Sequence, residues 1–273
     1  MQEKKERDIT IVGCGFAAVA LGISLKKAGL NNFTILERSN EIGGVWRENT
    51  YPGAACDVPS RLYSFSFEQD YPWSLRYAPQ KEIFEYLKHC IDKYSLTPHI
   101  RLGVNVTKAS YDDKSAKWSV VTKSGEEIAT DIFVSAVGLF NNPSIPDIPG
   151  QKSFTGPKFH SARWDHNVVL EGKTIASIGS GASAIQYVPE LAKISKILNV
   201  FQRTPQHIFA KGDRANAQQD HNTTFWQKLL HRRERLQLFT WFEKNSRRRS
   251  SEELTQKSVE AFEKYICRLV DDA

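Results

Sequence analysis

The chain has 273 residues, of which 40% are hydrophobic and 25% are charged, a composition typical of a globular protein with one or two domains. No apolar run reaches the roughly 18 residues that a membrane span needs, and the first eight residues lack the apolar core of a secretory signal. The cysteines form no C-x-x-C pair, so we expect no disulfide framework, zinc site or redox dithiol, and a cytoplasmic location. They are Cys14, Cys56, Cys90 and Cys267.

Positive charge is concentrated in the second part of the chain. Residues 1–150 hold 17 Lys and Arg against 18 Asp and Glu, whereas residues 151–273 hold 20 against 13, a net charge of +7. One interpretation of this excess, densest between Lys228 and Arg249, is attraction of an anionic ligand or a nucleic acid. The solvated face of a helix is favoured, because apolar residues recur at helical spacing and no nucleic-acid motif is present. These apolar residues are Phe225, Leu229, Leu236 and Phe239.

The first elements along the chain predict a β-α-β unit. Residues 9–12 are short, β-branched and followed by glycine, as in a buried parallel strand. Residues 16–28 predict a helix that ends at Gly29, and residues 33–36 predict a second strand that ends at Glu37.

A long loop and a small antiparallel region are expected next. Residues 41–70 are rich in Gly, Pro, Tyr and Trp with little periodicity, which is typical of a functional loop. Residues 81–94 predict an amphipathic helix. Short strands are expected near Val104, at 118–122 and at 127–134, the last two joined as a hairpin.

A second β-α-β unit follows a proline-rich stretch. Residues 141–150 contain three prolines, which predicts a domain boundary. A strand at 173–178, a helix at 182–192 and a strand at 196–201 are then expected, with a mostly helical remainder from about residue 222. The expected fold class is therefore α/β with two dinucleotide-binding, Rossmann-like domains.

The first glycine turn has the pattern G-x-G-x-x-A. Gly13 permits the tight turn, Gly15 lets a pyrophosphate approach the backbone, and Ala18 keeps helix and strand close. Glu37 lies 22 residues after Gly15, where a carboxylate can accept hydrogen bonds from ribose hydroxyls. Because a carboxylate there repels a 2′-phosphate, the turn is expected to hold FAD or NAD rather than NADP.

The second glycine turn carries the opposite charge at the corresponding point. Gly179 and Gly181 repeat the pattern, and Arg203 lies 22 residues after Gly181. A guanidinium group can bind a 2′-phosphate with two hydrogen bonds, which favours NADPH. The alternative for Arg203 is an ordinary surface salt bridge.

Two longer runs make the resemblance to a known family specific. Residues 43–57 read GGVWRENTYPGAACD and residues 154–165 read FTGPKFHSARWD. They resemble the two fingerprints of class B flavoprotein monooxygenases, most closely Baeyer–Villiger monooxygenases. The ending Trp164-Asp165 favours that type over the flavin-containing N- and S-oxygenases, although Ser161 stands where the family often has Thr.

The resemblance implies roles for particular residues. Asp57 corresponds to the active-site aspartate near the flavin, with an Asx turn beside Pro59 as the alternative. His160 corresponds to a residue of structural rather than proton-transfer function. The positions that resemble FAD contacts are Gly13, Gly15, Phe16, Glu37, Arg38, Val45, Trp46, Asp57, Tyr63 and Val106. The positions that resemble NADPH contacts are Gly179, Gly181, Ser183 and Arg203.

The implied organisation is an FAD-binding domain with an inserted NADPH-binding domain. We expect the first part of the FAD domain at 1–142, a linker at 143–172, and the first half of the NADPH domain at 173–273, so that the fold is incomplete at its C-terminus. The family's catalytic arginine and the rest of both domains are expected in a missing C-terminal half. The chain alone is therefore expected to be a poor monooxygenase.

The implied reaction uses O₂, NADPH and a small ketone. Reduced FAD forms a C4a-peroxyflavin that attacks the carbonyl carbon, and rearrangement gives an ester or lactone. Oxygenation of a heteroatom substrate at N or S is one alternative, and a non-catalytic FAD- and NADPH-binding fragment is another. A disulfide reductase is disfavoured because no C-x-x-C follows the first β-α-β unit.

Overall fold

A computed structural model describes residues 7–204, 206, 208, 211–216, 224–249 and 260, with the backbone alone at 245–249. The chain forms two compact units. The first unit comprises the chain up to Ala54 together with Gln80–Val169, and the second comprises Ala55–Pro79 together with the chain from Leu170 onward. The domain boundaries expected at residues 142 and 172 stay a prediction, and the membership of Ala55–Pro79 in the second unit was not foreseen.

A four-stranded parallel sheet forms the centre of the first unit. Its strands are β1 (Ile9–Val12), β2 (Phe33–Leu36), β3 (Ile100–Arg101) and β7 (Ile132–Ser135). Their order is β3-β2-β1-β7, and β1 pairs in register with both β2 and β7. Ile11 and Ile35 are fully buried, as expected for β-branched residues in a parallel sheet that is covered on its faces. The predicted first β-α-β unit is confirmed. The helix α1 (Phe16–Lys27) connects β1 to β2.

One short helix lies within the predicted long loop, and a longer helix follows it. Within that loop a short helix, α2 (Val45–Glu48), follows the glycine pair of the first fingerprint. The predicted amphipathic helix is confirmed as α3 (Gln80–Lys93), and its apolar stripe is buried. That stripe consists of Ile83, Tyr86, Leu87, Cys90 and Ile91.

The expectation of one continuous strand over residues 127–134 is wrong. The chain changes sheets at Asp131: the strand before it belongs to a three-stranded antiparallel sheet, and β7 after it belongs to the parallel sheet. The N–H groups of Asp131 and Ile132 both donate to the Asp8 carbonyl at 3.0 Å. The Thr130 hydroxyl donates to the same oxygen at 2.8 Å, so a distant segment fixes the turn. The strands of the antiparallel sheet, in spatial order, are β4 (Val106–Asp112), β5 (Lys117–Thr122) and β6 (Glu127–Thr130).

The second unit contains the second predicted β-α-β unit, which is confirmed. In the described residues β8 (Thr174–Ile178) pairs only with β9 (Ile197–Phe201), in parallel, and α4 (Ala182–Ile194) connects them. With two strands in this sheet, apolar side chains such as Ile178 and Phe201 remain exposed.

The basic stretch is helical, as predicted, and forms α5 (Phe225–Arg249). The apolar residues that recur at helical spacing are not buried. Phe225, Leu229, Leu236 and Phe239 are 49–73% exposed, and nothing in the described part of the unit covers them. No described helix combines the length and the apolar character needed to cross a membrane. Over the same described ranges, no cluster of three potential metal-ligand side chains is found.

Candidate functional site

Gly13 occupies a position in the first turn that only glycine fits. Its φ angle is +100°, and a Cβ atom placed there would lie 2.5 Å from the Ala136 carbonyl oxygen, directly after β7. Its N–H donates to the Leu36 carbonyl at 2.8 Å. The turn between β1 and α1 is thus held from both neighbouring strands.

The glycine pair of the first fingerprint packs against this turn. The Gly43 N–H donates to the Cys14 carbonyl at 2.8 Å. A Cβ atom on Gly44, whose φ angle is +55°, would lie 3.3 Å from the Gly15 Cα. Gly15 is the N-cap of α1, and no side chain caps this helix or places an acid in its first turn. An uncapped helix N-terminus beside two glycine turns fits a pyrophosphate.

The Glu37 carboxylate lies against the same turn, as its spacing from Gly15 predicts. The side chain is buried; one oxygen accepts from the Cys14 N–H at 2.9 Å and the other from the Ser39 N–H at 3.0 Å. Fixed in this way, the carboxylate is available at the carboxyl end of β2, where a ribose would lie. Its contact with ribose stays a prediction.

Three charged residues beside Glu37 were missed by the sequence reasoning. Arg47 and Glu48 lie on α2, and Arg163 belongs to the second fingerprint. The Glu48 carboxylate accepts from Arg47 at 2.9 Å, from Arg163 at 3.3 Å and from Arg38 at 3.1 Å. The Arg47 guanidinium also approaches Glu37 at 3.4 Å. Nothing in their sequence pattern distinguishes these residues from ordinary surface charges.

The remaining predicted residues of the first unit lie on its secondary-structure elements. Ala18 is fully buried on α1, as close helix–strand packing requires. The Phe16 ring stacks on Tyr86 with ring centroids 6.2 Å apart. Val45 begins α2, and the carbonyl of the adjacent Trp46 accepts from the Gln80 side chain. Val106 begins β4.

The second glycine turn has the same backbone but more open surroundings. Gly179 has φ +103°, its N–H donates to the Phe201 carbonyl at 2.8 Å, and Gly181 is the N-cap of α4 with no side-chain cap. No atom lies within 4 Å of a Cβ placed on either glycine. Ser183 is half-buried in the first turn of α4. Both turns therefore leave backbone accessible to a phosphate.

Arg203 lies just after β9, at the carboxyl end of the two-stranded sheet. It is exposed, and no acid among the described residues forms an ion pair with it. The alternative of a surface salt bridge thus finds no partner within the described ranges. A guanidinium that pairs with no described acid can receive a phosphate at this end of the sheet.

Asp57 and Tyr63 lie on the Ala55–Pro79 segment of the second unit. The Gln186 side chain on α4 holds this segment with two hydrogen bonds to the Ala55 main chain, at 2.8 and 3.3 Å. The Arg235 guanidinium on α5 donates at 2.8–3.0 Å to the carbonyl groups of Arg61, Leu62 and Ser64. These anchors explain why the segment belongs to the second unit.

The Asp57 carboxylate is exposed. Among the described residues it accepts no hydrogen bond, so the Asx turn considered as its alternative is not formed. Tyr63 is half-buried, and its N–H donates to the Pro59 carbonyl at 2.9 Å. His160 acts as a cap: its Nδ1 accepts from the Ala162 N–H at 3.1 Å, which agrees with the structural interpretation of this residue.

Two buried thiols give the protein a predicted pH dependence. Burial, with a smaller contribution from the Glu37 carboxylate, raises the pKa of Cys14 from 9.0 to about 12. Burial also raises the pKa of Cys56 to about 11. Between pH 9 and 11 the unfolded chain therefore loses thiol protons that the folded chain keeps, and the free energy of unfolding should fall as pH rises.

Chemical denaturation measured across this pH window tests the effect. Other groups also titrate there, so the slope of the wild type is compared with that of the Cys14→Ala/Cys56→Ala variant, which should be shallower. Equal slopes in the two proteins would show that the thiols do not contribute.

Comparison with known proteins agrees with this geometry. The family described as flavin-binding monooxygenase-like matches residues 6–245 of the chain. The Baeyer-Villiger monooxygenase of Streptomyces coelicolor is 42% identical over 207 residues, which are 76% of this chain and 40% of that protein.

Solved structures show the same relationship. Cyclohexanone monooxygenase from Rhodococcus sp. Phi1 bound to NADP+ superposes with a TM-score of 0.73 at 34% identity, covering 84% of this chain and 42% of that one. The complex of OTEMO with FAD and NADP gives a TM-score of 0.74 at 27% identity, covering 86% and 44%. The chain thus spans less than half the length of these proteins.

The residues that match the family include the two glycine turns and both fingerprints. The predicted resemblance to class B monooxygenases of the Baeyer–Villiger type is confirmed, and the chain belongs to the flavin-binding monooxygenase-like family.

Proposed function

We propose that this chain supplies the FAD- and NADPH-binding part of a monooxygenase that converts a ketone into an ester or lactone. The observation that carries the proposal is the opposite charge beside two equivalent glycine turns. The buried carboxylate of Glu37 serves the first turn and the exposed guanidinium of Arg203 serves the second. One site thus suits an unphosphorylated ribose and the other a 2′-phosphate.

FAD would lie on the first turn. Gly13 and Gly15 would carry its pyrophosphate at the open N-terminus of α1, and Glu37 would accept hydrogen bonds from its ribose. The other residues of the first unit proposed to contact FAD are Phe16, Ala18, Arg38, Val45, Trp46 and Val106. The fit of FAD to this turn rests on the lack of side chains at the two glycines. A side chain at Gly13 would meet the Ala136 carbonyl, and one at Gly15 would project toward Gly44.

NADPH would lie on the second turn, with Gly179, Gly181 and Ser183 at its pyrophosphate and Arg203 at its 2′-phosphate. Once reduced by NADPH, bound FAD supplies the activation of O₂. Asp57, with Tyr63 nearby in sequence, would place a negative charge that orients a cationic group at the oxygenation site. Its exposed carboxylate, which accepts no hydrogen bond in the described part of the chain, supports such a role.

A ketone substrate is favoured by the similarity to an enzyme named for cyclohexanone. The ending Trp164-Asp165 of the second fingerprint also supports it. Oxygenation at N or S remains the second candidate, because the family match itself does not distinguish a carbonyl from a heteroatom. We also retain a cytoplasmic location as a proposal, supported by Cys14 and Cys56, which are buried and form no disulfide among the described residues.

Product analysis with isotopically labelled O₂ tests the proposal. The chain is supplied with FAD, NADPH and equal amounts of a cyclic ketone and a thioether. The readout is the ratio of labelled ester to labelled sulfoxide, not the rate. Because the chain alone is expected to be a poor monooxygenase, we expect a low yield in which ester exceeds sulfoxide. Labelled sulfoxide alone would favour the N- or S-oxygenase, and absence of both products with both cofactors bound would favour a non-catalytic nucleotide-binding chain.

A further inference from the structure

Three guanidinium groups contact the single carboxylate of Glu48. Its side chain is 13% exposed, and one oxygen receives hydrogen bonds from Arg47 and Arg38, at 2.9 and 3.1 Å. The other oxygen receives one from Arg163, at 3.3 Å. A single largely buried carboxylate therefore fixes three guanidinium groups within the first unit.

Arg47 stands between two carboxylates. One of its nitrogens binds Glu48, while the other donates to the Glu41 carbonyl and lies only 3.4 Å from Glu37. Its side chain is 15% exposed, so water screens these contacts weakly. Glu48 and Glu37 are the acids that pair with Arg47 among the described side chains. Loss of Glu48 would thus leave Glu37 as the remaining anionic partner.

The Arg47–Glu37 hydrogen bond is single and long, at 3.4 Å, so it leaves part of the acceptor capacity of Glu37 open to a ligand. The two Glu37 oxygens accept from the N–H groups of Cys14 and Ser39. A guanidinium that formed a full two-point ion pair with a carboxylate would occupy the lone pairs that ribose hydroxyls need. Arg47 already makes one long hydrogen bond to Glu37, and its second terminal nitrogen is held by Glu48. The hold of Glu48 on that second nitrogen therefore controls whether Arg47 can close a two-point ion pair on the ribose-binding acid.

We propose that Glu48 is a positioning residue of the dinucleotide site. By holding one nitrogen of Arg47 it keeps the Glu37 carboxylate available to ribose, and through Arg163 it connects the second fingerprint to that site. The inference rests on the proposed binding of FAD at the first turn. It gives Arg163 and α2 a function that neither fingerprint assigns to them.

The test is FAD affinity, measured by flavin fluorescence in titrations of the 273-residue chain. Glu48→Gln should weaken FAD binding about tenfold, the scale of one charge-assisted hydrogen bond. Adding Arg47→Met removes the cation that would occupy Glu37, so the double variant should bind FAD several-fold more tightly than Glu48→Gln alone. A purely structural role for Glu48 predicts no such recovery, because the second change removes a further contact.

Glu126→Gln is the matched control. Glu126 forms an exposed ion pair with Arg101 at 2.8 Å in the same unit, and its loss should leave FAD affinity unchanged. If Glu48→Gln does not fold, Arg163→Met serves instead: it should weaken FAD binding about threefold, and Arg163→Lys should restore it.

The outcomes separate the inference from the proposed function. No FAD binding by the wild type would overturn the proposed function. Wild-type affinity in Glu48→Gln, or in Arg163→Met where that variant is used, would overturn the inference while leaving FAD binding intact. A double variant no tighter than Glu48→Gln would also overturn it.

Discussion

Replacing Gly13 with alanine is expected to lower the free energy of unfolding of the first unit by roughly 3–5 kcal/mol. The new methyl group would lie 2.5 Å from the Ala136 carbonyl oxygen, and the backbone has φ +100°, which alanine adopts only under strain. Backbone cannot move aside as a flexible side chain can, because β7 is held in register on β1. Chemical denaturation without added cofactor measures the loss directly.

Gly125→Ala separates strain from collision. Gly125 has φ +90°, but no atom lies within 4 Å of a Cβ placed there. The control should therefore lose only about 1–2 kcal/mol, the cost of a left-handed conformation. Similar losses in the two variants would show that the contact with Ala136 does not constrain the first turn.

Replacing Arg203 with serine is expected to weaken NADP+ binding roughly 30-fold and to leave NAD+ binding nearly unchanged. The guanidinium is exposed at the carboxyl end of β9, and no described acid neutralises it. Its proposed contact is with the 2′-phosphate, which NAD+ lacks. Titrations of the wild type and the variant with both nucleotides give the selectivity ratio.

Lys173→Ser controls for a general loss of positive charge. Lys173 is exposed and directly precedes β8, so it lies at the amino end of the parallel pair, whereas Arg203 lies at the carboxyl end. This variant should retain the preference for NADP+. Equal weakening of NADP+ and NAD+ binding by Arg203→Ser would mean that Arg203 contributes to folding or to the pyrophosphate rather than to the choice of nucleotide.

Local patterns were sufficient to predict the β-α-β units. In both, a β-branched run, a glycine turn and a helix succeed one another within about 30 residues, so neighbouring sequence determines the structure. The turn at Asp131 could not be predicted in this way. It depends on the Asp8 carbonyl, which lies more than 120 residues earlier in the chain.

The candidate sites likewise contain residues that local sequence predicts and residues that it does not. Gly13, Gly15 and Glu37 are predictable because the chemistry of a dinucleotide site fixes their spacing. The partners of Glu48 are not, since Arg38 and Arg163 come together only after folding. The position of Asp57 in the second unit likewise depends on remote anchors. The Gln186 side chain and the Arg235 guanidinium provide them, and neither has a recognisable pattern in sequence.

Electron transfer between the two proposed cofactors is tested most directly by anaerobic reduction. The FAD-loaded chain is mixed with NADPH or with NADH while the visible absorbance of oxidised flavin is followed. If the first turn holds FAD and the second holds NADPH, NADPH should bleach the flavin much faster than NADH does. A flavin that keeps its absorbance with NADPH, or that NADH reduces equally well, would contradict the assignment of the two turns.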